Sequence, residues 1–78
     1  GYDFVSGTRP DQGILDELTE REIEVLKLLV KEYNTTDIAD LLLLSTHTVG
    51  TYRKSLLRKL NVKNVVGLAI FAVRNNLV

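Results

Sequence analysis

From Leu18 to the C-terminus, apolar residues fall three and four positions apart in runs separated by short breaks. That spacing gathers them on one face of a helix. The few β-branched stretches sit inside these helical periods, so no strand is expected. Ile23, Leu26, Val30 and Tyr33 define the first run, and Leu29 widens its stripe. Thr19-Glu20-Arg21-Glu22 marks its start as a capping box, in which the Thr19 hydroxyl accepts from the Glu22 N–H and the Glu22 carboxylate accepts from the Thr19 N–H. Leu18 and Ile23 flank the cap as a hydrophobic staple, and the expected helix covers 20–33.

The second run repeats this grammar. Asn34 is a good N-cap, Asp37 stands at N3 near the positive end of the helix dipole, and Tyr33 can staple to Ile38. A helix over 35–42 would bury Ile38, Ala39, Leu41 and Leu42. Ser45 then caps a third helix over 46–60, stapled by Leu44 and Val49, with Asn61 suited to a left-handed closing residue. Leu43-Leu44-Ser45 is too short a break for an ordinary antiparallel hairpin and forces a sharp angle, as in a helix-turn-helix. A fourth helix is expected over 65–76. Residues 1–17 have no clear period and hold three Gly and the only Pro, which reads as a linker or appended tail. Ile14, Leu15 and Leu18 would return that tail to the core. The expected fold is all-α: a four-helix bundle with a central helix-turn-helix, preceded by a loosely structured N-terminal segment.

A chain of 78 residues is one domain, and 45% apolar residues suffice for its core. The absence of Cys removes disulfides and thiolate metal sites and fits a reducing compartment. No run approaches the roughly 18 apolar residues of a membrane span, and no signal-peptide pattern opens the chain, so the expected location is cytoplasmic, with no membrane partner. There is no Gly-rich phosphate loop, no nucleophile with a base partner and no metal-ligand cluster. The chain is therefore expected not to be an enzyme and to need no cofactor or metal. His47, the only His, reads as a surface donor.

Zero net charge argues at first against a nucleic-acid partner, but its distribution changes the picture. Residues 1–40 hold all ten acids and four bases, a balance of −6, whereas residues 41–78 hold six bases and no acid. A split of this kind suits a polyanion-facing surface on one side of the molecule or, equally, a dipolar surface with no partner.

The third helix carries the chemistry that separates these readings. On a wheel of about 100° per residue, Val49, Leu56, Leu57 and Leu60 gather on one side. His47, Gly50, Thr51, Lys54, Ser55 and Arg58 gather opposite, with Lys59 beyond them. A helix entering a major groove needs small residues for approach, hydroxyls for base edges and cations for phosphates. A merely solvated face would normally interleave acids for helix pairing, and this one has none. Gly50 costs about 1 kcal/mol relative to Ala in mid-helix, which is either tolerated for close backbone approach or simply unimportant at an exposed position. Tyr52 can stack on a sugar-phosphate or pack beneath the helix. Arg53 lies toward the apolar side, with its head free to reach a phosphate or an acid. Thr35 and Thr36, beside free N–H groups at the second helix's start, can seat a phosphate or serve only as capping residues. On the fourth helix, Leu68, Phe71 and Ala72 form one apolar face; Val66, Ile70, Val73 and Leu77 form another. A small core cannot easily cover both, so the second is expected to be a homodimer surface unless the N-terminal segment folds over it.

Leu18-Thr19-Glu20-Arg21-Glu22 followed by Glu24-Val25-Leu26 resembles the opening signature of LuxR/GerE/NarL-type output domains. Asp37-Ile38-Ala39, Leu44-Ser45 and Thr48-Val49 resemble their helix-turn-helix, and Lys59-Leu60-Asn61-Val62-Lys63-Asn64 the approach to their last helix. The resemblance, over 18–78, implies a response-regulator output domain of a two-component system that binds double-stranded DNA. It implies that the third helix reads the major groove, that the fourth mediates dimer contacts, and that an upstream sensor or receiver domain exerts control. By position, it makes Gly50, Thr51, Tyr52 and Lys54 base-facing candidates, joined by His47 from the wheel. Thr36, Thr48, Arg58 and Lys63 become phosphate candidates, alongside Thr35, Arg53 and Lys59. RNA polymerase is a further candidate partner. Two departures stand out: the family often has Lys or Arg where Gly50 stands, and an Arg-Thr-Glu-like start to the last helix where this chain has Val65-Val66-Gly67. The competing readings are a helical protein-interaction module and a sigma-factor-like promoter-contacting domain. The apolar last helix disfavours the second, and binding to DNA that weakens steeply with salt and varies with sequence would separate the first.

Overall fold

Capping residues set where the helices of this protein begin. The computed structural model describes residues 12–78, which form five helices: α1 Gln12–Asp16, α2 Glu20–Val30, α3 Thr35–Leu42, α4 Thr46–Lys59 and α5 Val65–Arg74. At α2 the reciprocal box is complete: the Thr19 N–H donates to Glu22 Oε1 at 2.9 Å and the Glu22 N–H to Thr19 Oγ1 at 3.1 Å. The Asp37 N–H donates to Asn34 Oδ1 at 2.8 Å, the Thr48 N–H to Ser45 Oγ at 3.0 Å and the Val66 N–H to Asn64 Oδ1 at 2.9 Å. Each bond satisfies an N–H that the first turn leaves without a helical partner.

The C-terminal ends of α2, α3, α4 and α5 share one device. Glu32, Leu43, Asn61 and Asn76 all have positive φ, between 55° and 72°. The residue after each closes a six-residue turn: Tyr33 N–H to Leu28 O, Leu44 N–H to Ala39 O, Val62 N–H to Leu57 O and Leu77 N–H to Ala72 O, at 2.8 to 3.1 Å. These Schellman-type closures let helix follow helix after a few residues. Leu43 is unusual in the role, being a branched apolar residue in left-handed backbone and 91% exposed.

α2 packs against α5 and α4, and α3 against α4, around Val25, Leu26, Ile38, Val49, Leu56, Leu68 and Ala72, none of which keeps measurable exposure. Leu18 is buried, and Ile14 and Leu15 pack against this core. Their segment is helical over Gln12–Asp16, a short turn added ahead of the four main helices within the stretch read as a tail. The first eleven residues of that tail lie outside the described residues.

Three sequence expectations need correction. α2 stops at Val30, because Glu32 turns left-handed, and Tyr33 is exposed rather than the end of the buried stripe. The buried side of α2 is centred on Glu22, Val25, Leu26 and Leu29, with Ile23 and Val30 only half-buried. Leu41 is 57% exposed: α3 has only α4 and part of α2 to cover it, and Ile38 and Ala39 already fill that contact.

Candidate nucleic-acid interface

α3, the three-residue turn and α4 place a long basic helix across the shorter one. His47, Thr51, Lys54 and Arg58 follow one another at helical spacing along the side of α4 away from the core, and all four are exposed. Gly50 lies beside this stripe, and a Cβ built on it meets nothing within 4 Å. No internal packing therefore requires glycine there. Among the described residues, Lys54, Arg58 and the nearby Lys63 take part in no ion pair, so their charges face outward uncompensated. The Thr51 hydroxyl donates to the His47 carbonyl at 3.2 Å and keeps its lone pairs for an incoming donor.

Other candidate residues lie elsewhere. Tyr52 is half-buried and packs against the core, so its ring is largely withdrawn from the outward stripe. Arg53 is half-buried on the same side, without an ion-pair partner among the described residues. Thr48 is half-buried and its Oγ1 accepts from Ser45 Oγ at 2.9 Å, within the cap. Thr35 and Thr36 open α3, the first half-buried and the second exposed.

Ser55 and Lys59 are displaced from the outward face that the wheel gave them. Ser55 Oγ donates to Glu22 Oε2 at 2.9 Å, and Lys59 Nζ donates to Glu22 Oε1 at 3.0 Å and to the Glu17 carbonyl at 3.4 Å. Both lie on the flank of α4 that meets α2. The lysine expected among the phosphate contacts thus has its ammonium paired with Glu22 at the α2 interface. Burial pushes the Glu22 carboxyl upward, but hydrogen bonds from the Thr19 N–H, Lys59 and Ser55, with the lysine's charge, outweigh it. The carboxyl is held below the usual glutamate range. Sequence reasoning placed Glu22 in the cap and missed its second role. The available signal was an acid inside an otherwise apolar helix face, three residues before Val25.

On α5, Leu68, Phe71 and Ala72 face the core, while Val66, Ile70 and Val73 are exposed at 67, 57 and 65%. Leu77 departs from that outer set: it is half-buried and packs against the core, drawn in by the closure of the last turn.

Capped helices, a tight turn and an acid-free outward stripe define a helix-turn-helix module whose longer helix presents a basic outer face. The sequence model of the family described as bacterial regulatory proteins, luxR family, matches residues 16–72. The transcription regulator BvgA of Bordetella pertussis is 44% identical over 69 residues, covering 88% of this chain and 33% of BvgA. The DNA-binding transcriptional activator EvgA of Escherichia coli K12 is 36% identical over 74 residues, 95% of this chain and 36% of EvgA. The response regulator GacA of Pseudomonas aeruginosa is 40% identical over 63 residues, 81% of this chain and 29% of GacA. The chain belongs to the luxR family of bacterial regulatory proteins. It spans about a third of the length of these curated relatives. Among the described residues, no helix is long and apolar enough to cross a membrane.

Proposed function

We propose that this domain binds double-stranded DNA sequence-specifically, with α4 seated in the major groove. The observation that carries the reading is the stripe of His47, Thr51, Lys54 and Arg58 on α4, exposed and free of acids, with Gly50 open beside it. Thr51 and Lys54 are the base-reading residues, with His47 and Gly50 at the edges of that contact. Arg58, Lys63 and the start of α3 at Thr35 and Thr36 hold phosphates, with Thr48 and Arg53 as further backbone contacts from the half-buried side. Tyr52 supports the reading helix from beneath rather than reading a base.

Two copies bind adjacent half-sites about one helical turn apart or closer, joined through Val66, Ile70 and Val73 of α5. In the cytoplasm, the domain acts as the output of a longer response regulator controlled by a sensor or receiver domain, with RNA polymerase as a further partner. The one-third coverage of the relatives, one of them named a response regulator, supports that arrangement.

Fluorescence-anisotropy titration against a random-sequence DNA pool and a panel of inverted half-sites, at two salt concentrations, tests the reading. Binding should weaken steeply with salt and favour particular half-sites. Failure to bind any DNA at low salt and high protein concentration would transfer the basic face to an acidic protein partner.

A further inference from the structure

Glu22 is buried, and both its oxygens are engaged across the helix interface. Oε1 accepts from the Thr19 N–H and from Lys59 Nζ; Oε2 accepts from Ser55 Oγ. The two contacts from α4 come from residues four apart, one helical turn, so they grip a single flank of that helix near its C-terminal end. Its N-terminal end is held separately by the Ser45 cap and the fully buried Val49. Fixing a helix near both of its ends sets its rotation about its own axis, and that rotation decides where Thr51, Lys54 and Arg58 point. Reading side chains must be held within about 0.5 Å and 10–20° of their productive geometry.

We propose that Lys59 and Ser55 are positioning residues that fix the rotation of α4 through Glu22, and that Lys59 makes no phosphate contact. Swinging the lysine out to a phosphate would strand a buried carboxylate without its counter-charge, which is strongly unfavourable. Its side chain is only 27% exposed and also donates to the Glu17 carbonyl, so it is held from two sides. The sequence pattern groups Lys59 with Arg58 as neighbouring cations; the geometry assigns them opposite tasks.

The proposal rests on the DNA-binding reading. No binding by the unaltered domain would retire that reading, whereas the outcomes below bear on the positioning role alone. The experiment is anisotropy titration of the domain and its variants, at several salt concentrations, against the half-site pair that the unaltered domain prefers, taken as its operator, and against non-specific DNA. Arg58→Ala serves as the phosphate-contact control and should flatten the slope of log affinity against log salt by about 0.9. Lys59→Gln should keep the unaltered slope and lower the ratio of operator to non-specific affinity by about tenfold. Glu22→Gln, which frees the lysine, should lower that ratio as well, and Lys59→Arg should restore much of it. A slope flattened by about 0.9 in Lys59→Gln overturns the proposal, as does operator binding by Glu22→Gln at least as tight as that of the unaltered domain. Amide spectra verify that each variant is folded. Should Glu22→Gln or Lys59→Gln unfold, Ser55→Ala replaces it, removing one bond and no charge. A ratio lowered by about threefold at unchanged slope is then expected, and an unchanged ratio overturns the proposal.

Discussion

A Cβ at Gly67 would stand 2.5 Å from Cβ of Val62 and 2.8 Å from its Cγ1. Val62 closes the turn after α4, its N–H donating to the Leu57 carbonyl, and Gly67 lies in the first turn of α5. The turn and the last helix therefore meet with no room for a side chain between them. Because one clashing atom is itself a Cβ, rotating the valine cannot relieve the contact. Gly67→Ala should destabilise the domain by about 1–2 kcal/mol, overpacking outweighing the better helix propensity of Ala. Denaturant unfolding checks this, and a variant as stable as the parent would refute the close-packing account.

Gly50 presents the opposite case, because a methyl there meets nothing. Gly50→Ala should stabilise the isolated domain by about 0.4–1 kcal/mol, chiefly by restricting the unfolded chain. If the glycine serves backbone approach to DNA, the same variant binds its operator more weakly while unfolding at higher denaturant. A rise in stability with undiminished operator affinity would remove Gly50 from the reading face.

The starts of α2, α3 and α4 were legible because caps are local. Thr19, Asn34 and Ser45 each bond to an N–H three residues ahead, and that spacing is written in the chain. The ends were less so. Asn61 is a residue type suited to left-handed backbone, but Glu32 and Leu43 are not, so their types do not mark where α2 and α3 close. A wheel separated the outward stripe of α4 from its core side. It could not show that α2 approaches one flank, so Ser55 and Lys59 read as surface groups until Glu22 was found between them. Exposure of Leu41 and partial burial of Leu77 likewise depend on which helices are neighbours.

The lowered ionisation of Glu22 ties stability to pH. Its carboxyl titrates lower in the folded protein than in the unfolded chain, so at intermediate acidity the unfolded state holds more protons. The stabilisation is present above the unfolded carboxyl's range and is lost as pH falls through the folded one. Thermal unfolding should thus show a melting temperature falling from about pH 5 downward. Glu22→Gln should be less stable at neutral pH and show a shallower fall. Equal pH slopes in the two proteins would disconnect Glu22 from acid sensitivity.

Lys54 lies at the centre of the outward stripe and has no ion-pair partner among the described residues, so its removal leaves nothing buried uncompensated. Lys54→Ala should cost about 1–3 kcal/mol of operator binding and relax preference at one base position, with unfolding little changed. Selection of binding sites by the variant from a random pool reads this directly. The parent's full sequence preference in the variant would make Lys54 a phosphate contact instead.

The outer face of α5 separates association from folding. Ile70 and Val73 are 57% and 65% exposed and one helical turn apart, so a charge at either is accommodated by the monomer but opposes an apolar two-fold contact. Sedimentation equilibrium of the parent should show weak, concentration-dependent dimerisation, and Ile70→Asp or Val73→Glu should abolish it. Unfolding should shift by no more than about 0.5 kcal/mol, as for other exposed substitutions. On DNA carrying two half-sites, the variants should lose cooperative binding while their affinity for a single half-site is retained. Because the proposed reading face is on α4 and the proposed dimer face on α5, this combination distinguishes a lost protein contact from a damaged reader. Undiminished cooperativity in both variants would place the dimer contact on another surface, leaving Val66, Ile70 and Val73 as an apolar face with a different partner.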